Sequence, residues 1–216
     1  MKGFFNLEGP FIGVLNRLFD LFMLNVLTVI CCIPIITIGP AITALYYVTL
    51  KMVKGEDGYL FRSYFKSFKE NFKQGMILGV GVLVFSLIIA VDYHIVSQYE
   101  FEGKIIVLIL IMVSGMLILM GTVFLFPLLA RFENTIKGTL KNSFALFIGQ
   151  GPRAILIVIY YVAMPIFILC FADYLIPILL MYGIALPAYL SSVSIVKIFE
   201  KIQSNTDNNS ENEEEM

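Results

Sequence analysis

Hydrophobic positions in this chain fall in long uninterrupted blocks, and the breaks between blocks carry the architecture. From Leu18 to Val48 the chain stays apolar for about 30 residues, longer than the roughly 20 that one membrane crossing needs. Pro34, Gly39 and Pro40 interrupt this run. Pro34 removes a backbone donor and pushes Ile33 out of the helical region, and Pro40 acts likewise on Gly39. Pro40 also suits the first turn of a new helix. The pattern therefore predicts a helix over residues 11–33, a turn over 34–39 and a returning helix over 40–54. The alternative is one kinked helix that crosses once. Further blocks predict crossings at 75–95, 105–129, 154–171 and 175–197. The fold class is all-α, a polytopic helical membrane protein with six crossings, or five if the first block crosses once.

One segment has a helical period instead. Residues 59–73 place Phe61, Tyr64, Phe65, Phe68 and Phe72 on one face, with Arg62, Lys66, Lys69, Glu70 and Lys73 opposite. That predicts an amphipathic cytoplasmic helix in the membrane interface. It also offers a docking face for a partner, formed by Phe61, Tyr64, Phe65, Lys66, Phe68, Lys69 and Phe72. A second patch of this kind lies at Phe144, Leu146, Phe147 and Ile148.

Charge orients the helices. Basic residues gather on the cytoplasmic side of membrane proteins. With six crossings, all but Lys104 of the 15 Lys and Arg lie inside, and so do both termini. Five crossings would move only Lys2 and Arg17 outside. Within the first helix, Arg17 and Asp20 are spaced to pair, and Asn25 can hydrogen-bond another helix.

Composition agrees with this class. The chain of 216 residues is 59% hydrophobic and 14% charged, with a mean hydropathy of +0.88; an average soluble domain is about 45–50% apolar and 25% charged. Residues 1–202 read as one helical membrane domain. Residues 203–216, rich in Asn, Ser and Glu, read as a disordered acidic cytoplasmic tail. The N-terminus lacks a cleavable signal pattern, and Ile30 before Cys31 does not fit a lipoprotein anchor. Gly75 and Gly79 form a G-x-x-x-G start to a crossing, a pattern that permits close helix approach. Residues 40–51 and 187–197 show a faint likeness, each a proline-led helix running to a lysine.

No catalytic chemistry emerges. Cys31, Cys32 and Cys170 sit in apolar runs, the lone His94 has no matching ligand set, and no H-E-x-x-H, Walker A or G-x-S-x-G motif is present. The expectation is a non-enzyme without catalytic, metal or cofactor residues and without a nucleic-acid partner.

Leu24-Asn25, Ile33-Pro34-Ile35-Ile36-Thr37-Ile38-Gly39, Ala44-Leu45-Tyr46-Tyr47 and the run from Gly58 to Gln74 resemble the YesL family of bacterial integral membrane proteins. The resemblance is strong over residues 1–80 and loose beyond. It implies a bacterial plasma-membrane location and carries no activity with it. Members are often encoded beside carbohydrate ABC importers, which implies an accessory role in carbohydrate uptake with importer subunits as partners. The matching motif residues are Asn25, Pro34, Thr37, Gly39 and Phe68, and Pro40 adjoins them. None suits catalysis; all suit a helix break and packing. The acidic tail departs from the family pattern. Three functions follow: an accessory or scaffold protein docking a partner through its cytoplasmic helices, a small autonomous permease built on the broken helices, and, with least support, an intramembrane enzyme. Oligomeric state is not legible.

Overall fold

The computed structural model describes residues 10–56, 58–132, 135–150, 154, 155, 157–159, 161, 163 and 182–214. Its helices are α1 (Pro10–Cys32), α2 (Ile38–Lys54), α3 (Leu60–Glu70), α4 (Phe72–Gln98), α5 (Lys104–Arg131), α6 (Ile136–Gly149) and α7 (Ala185–Glu214). A single 3-10 turn, Ile35–Thr37, joins α1 to α2. No strand occurs among the described residues.

Among the described residues four segments are long and apolar enough to cross a membrane: Phe11–Cys32, Ile35–Lys54, Phe72–Gln98 and Lys104–Arg131. The chain is a multi-pass helical membrane protein. The crossing expected at 154–171 lies largely outside the described residues; of that expected at 175–197 the structure describes 182–197, where a turn at Gly183 and Ile184 breaks the expected helix before α7 begins at Ala185.

The first apolar block is two helices folded back on each other. The Tyr64 hydroxyl donates to the Ala41 carbonyl on α2 at 3.2 Å and lies beside Thr28 and Cys31 of α1. In one continuous helix Ala41 and Thr28 would stand about 20 Å apart along the axis. The hairpin reading therefore prevails over the single kinked crossing. α2 ends at Gly55, whose left-handed backbone (φ 70°) lets its N–H and that of Glu56 close onto Met52 and Lys51 carbonyls.

α2 is the centre of the bundle. It packs against α1, α3, α4, α5 and α7, and 61% of its apolar window is buried in protein, against 22%, 17% and 6% for α1, α4 and α5. That explains its 17 residues: a helix sheathed by protein need not match the lipid thickness that a lipid-facing helix must. One continuous core joins Leu24, Leu45, Tyr64, Phe124, Phe147, Ile195 and their neighbours. Outside it, α4 and α5 pair as a hairpin and expose apolar side chains from Val84 to Leu117, the surface that hydrocarbon covers.

α7 continues to Glu214, through residues whose composition predicts a disordered tail. Extending an existing helix adds one hydrogen bond per residue without a new nucleus, so a polar segment can follow an anchored one.

Candidate functional site

Five motif residues, Asn25, Pro34, Thr37, Gly39 and Pro40, surround the break between α1 and α2. Pro34 is extended (φ −75°, ψ 121°) and caps the 3-10 turn, the conformation its ring prefers. The break frees carbonyls at the end of α1. Thr37 takes them up: its hydroxyl lies 2.6 Å from both the Cys31 and Pro34 carbonyl oxygens. Pro40 is the third residue of α2 and is buried; its missing N–H falls in the first turn, where no intrahelical acceptor exists.

Gly39 meets α4 backbone to backbone. A methyl group there would overlap the Gly75 carbonyl oxygen, with the Gly75 carbonyl carbon at 2.7 Å and the Gly79 Cα at 3.0 Å. A methyl on Gly79 would meet Gly39 Cα at 2.7 Å, and one on Gly75 would meet Pro40 N at 2.9 Å. The G-x-x-x-G start of α4 thus has its partner in the break itself, and small residues permit the approach.

Asn25 reaches furthest. Its side-chain oxygen accepts from the backbone N–H of Ile184 at 2.8 Å and of Ala185 at 3.0 Å, 159 and 160 positions away. These are orphan donors at the start of α7, and an amide from another helix caps them in place of a local N-cap. Asn25 is 1% exposed, so the cap is dry.

A hydroxyl cluster that sequence reasoning missed ties α2 to α7. Tyr46 bonds to Tyr161 and contacts Ser191 at 3.4 Å, Tyr161 to Ser191 is 3.2 Å, and Thr49 to Ser192 is 2.9 Å. The two proline-led segments with the faint likeness, 40–51 and 187–197, lie side by side through these bonds. The available signal was the Thr43, Tyr46, Thr49 spacing of three on α2, which lines polar groups along one face of an apolar helix.

The aromatic helix α3 divides differently from its sequence pattern. Tyr64 and Ser67 are fully buried, and Phe68 packs partly buried against the core, 6.3 Å from the Tyr64 ring and 5.6 Å from that of Phe72. Tyr64 is thus withdrawn from the expected docking face, because its ring fills the space between α1 and α2. Burial pushes the Tyr64 phenol well above the usual tyrosine range. Phe61, Phe65 and Phe72 stay exposed, at 53%, 42% and 37%, and Lys66 and Lys69 are exposed beside them. Phe61, Arg62, Phe65, Lys66 and Lys69 together line a shallow surface groove. On α6, Phe147 is buried, whereas Phe144 and Ile148 are exposed.

His94 is exposed and its ring nitrogen lies 3.0 Å from the Gln98 amide. Among the described residues no three His, Cys, Asp or Glu converge as a metal site.

Residues 21–93, from the middle of α1 to the last turns of α4, match the family described as "Protein of unknown function, DUF624". Over 107 residues the chain is 31% identical to "Uncharacterized protein YesL" of Bacillus subtilis (strain 168), a match covering 49% of each chain. This part of the chain is YesL-like. The matched segment holds every motif residue from Asn25 to Phe68 and both partners of the Gly39 contact. The chain spans about half the length of the curated relative it matches. No solved structure matches it.

Proposed function

We propose that this protein is a non-catalytic accessory or scaffold component of the bacterial plasma membrane that holds a cytoplasmic partner against the outward side of α3. The observation that carries this reading is the division of α3. Tyr64 and Ser67 lock one side into the core, while Phe61 and Phe65 stand exposed among Arg62, Lys66 and Lys69. Exposed aromatics on a rigid support, flanked by cations, are the composition of interface anchors. Lys66 and Lys69 on α3, Lys73 just after it and Arg131 across the cleft from Lys66 form a basic surface that the charge rule assigns to the cytoplasm. There α3 lies at the membrane interface. By the same charge rule we place both termini on that side.

Neighbouring carbohydrate ABC importer genes in the resembled family suggest importer subunits as the partner. Affinity purification from native membranes in mild detergent, with mass spectrometry, tests this. Stoichiometric importer subunits that disappear with Lys66→Glu/Lys69→Glu support it; recovery unchanged by that charge reversal removes α3 as the docking face.

A small autonomous permease is the second reading, favoured by the non-helical backbone at Pro34–Thr37. Against it, the Thr37 hydroxyl already engages two carbonyls that a solute would need. Solute uptake into proteoliposomes of the purified chain alone would favour the permease.

A further inference from the structure

A polar cleft of about 750 Å³ opens where α5 ends. Its walls come from α2 (Tyr47), α3 (Lys66, Glu70), the start of α4 (Asn71, Gln74) and the end of α5 (Arg131), over a floor that includes Leu129 and Ala130. We propose that this cleft binds the phosphodiester headgroup of an anionic phospholipid.

Three observations converge on that chemistry. Arg131 is half-buried and lines the cleft, and among the described residues its guanidinium has no ion-pair or hydrogen-bond partner. A planar guanidinium presents paired donors suited to two phosphate oxygens. The Gln74 amide is likewise half-buried in the wall without a side-chain partner among the described residues, and it can bond a headgroup hydroxyl. The charges select the anion class. Lys66 and Arg131 contribute two positive charges and Glu70, 3.9 Å from Lys66, one negative. The net of one positive charge matches a phosphodiester, which carries a single negative charge, better than a phosphomonoester carrying nearly two.

Depth argues for a lipid source. Arg131 is the first charged residue after an apolar stretch that fills the rest of α5 from Ile105, so it stands where hydrocarbon gives way to headgroups. The cleft shares Lys66 with the docking face of α3, but Lys69 belongs to the docking face alone, so Lys69 variants separate the two readings.

The test is thermal stability of the full chain in neutral detergent during titration with phosphatidylglycerol, with native mass spectrometry to count bound lipids. The expected result is a saturable rise in Tm with one lipid retained, absent with phosphatidylcholine. Arg131→Gln should weaken binding about tenfold or more, the size of a lost charge-assisted hydrogen bond. Gln74→Leu, a milder change should Arg131→Gln fold poorly, should weaken it less, and Lys69→Gln should leave it unchanged. Glycerophosphoglycerol supplies the same diester without acyl chains; if it saturates the site and the lipid does not, the lipid source is refuted. An equal rise with phosphatidylcholine, or a phosphatidylglycerol response that survives both Arg131→Gln and Gln74→Leu, overturns the site.

Discussion

Gly39→Ala is the sharpest test of how the break is built. The added methyl would overlap the Gly75 carbonyl oxygen and stand 2.7 Å from the attached carbon, whereas carbon atoms pack best at about 3.5–4.0 Å. Both neighbours are backbone, so no rotamer change relieves the clash. α2 and α4 must part by about 1 Å, which forfeits a quarter to a half of each dispersion contact along the crossing. Overpacking of this kind costs about 1–3 kcal/mol, and a backbone neighbour places Gly39→Ala near 3 kcal/mol. Gly79→Ala, at 2.7 Å from Gly39 Cα, and Gly75→Ala, at 2.9 Å from Pro40 N, should cost progressively less. Gly81→Ala is the control, since a methyl there meets nothing within 4 Å. Once the helices have parted a second methyl adds little, so Gly39→Ala/Gly79→Ala should fall short of the summed single costs. Trp is absent, so the assay is size exclusion of a fluorescent-protein fusion after heating in detergent. A Gly39→Ala melting temperature equal to that of Gly81→Ala would refute the backbone contact.

Asn25→Leu should cost about 1–3 kcal/mol, because it strands the Ile184 and Ala185 N–H groups in a dry site; Val26→Leu on the exposed side of α1 should cost little by the same melting assay. Thr37→Val should lose about 1 kcal/mol and Thr37→Ser should keep most of it, since serine retains the donor; equal losses would mean that the methyl matters and the hydroxyl does not. Tyr64 carries a pH signature. Its folded pKa lies above its unfolded value near 10, so its contribution is complete below pH 10 and lost as pH rises beyond, and Tyr64→Phe should flatten alkaline unfolding while costing about 1 kcal/mol near neutrality. Ile36→Cys, in a background freed of native cysteines, should resist a membrane-impermeant maleimide applied from outside the cell; labelling from outside would mean that the hairpin tip reaches the far surface.

Much of this was legible in apolar runs and in residues with one physical use. Pro34 and Pro40 announced a break, because proline has few places inside a helix. The amphipathic period of residues 59–73 announced α3. What the period could not show is which aromatic turns inward: Tyr64 and Phe65 are adjacent, and only the cavity between α1 and α2 distinguishes them. The Asn25 cap was illegible for a different reason. An N-cap is sought next to the helix it serves, and here the acceptor lies 159 residues away. The hydroxyl cluster of Tyr46, Tyr161 and Ser191 likewise depends on which helices become neighbours, a choice that hydropathy leaves open.

The Gly39 contact also fixes a depth. It sets the α1–α2 turn beside Gly75 and Gly79, near the start of α4. Residues 80–98 of α4 run on past it for roughly 28 Å, close to the full hydrocarbon thickness of about 30 Å. The tip itself is oily: Ile33, Ile35 and Ile36 are 75%, 69% and 54% exposed, a poor surface for water and a good one for acyl chains. Beyond that level α4 pairs with α5 and both expose apolar side chains, so the α1–α2 turn and the far half of the α4–α5 hairpin stand at different depths along α4.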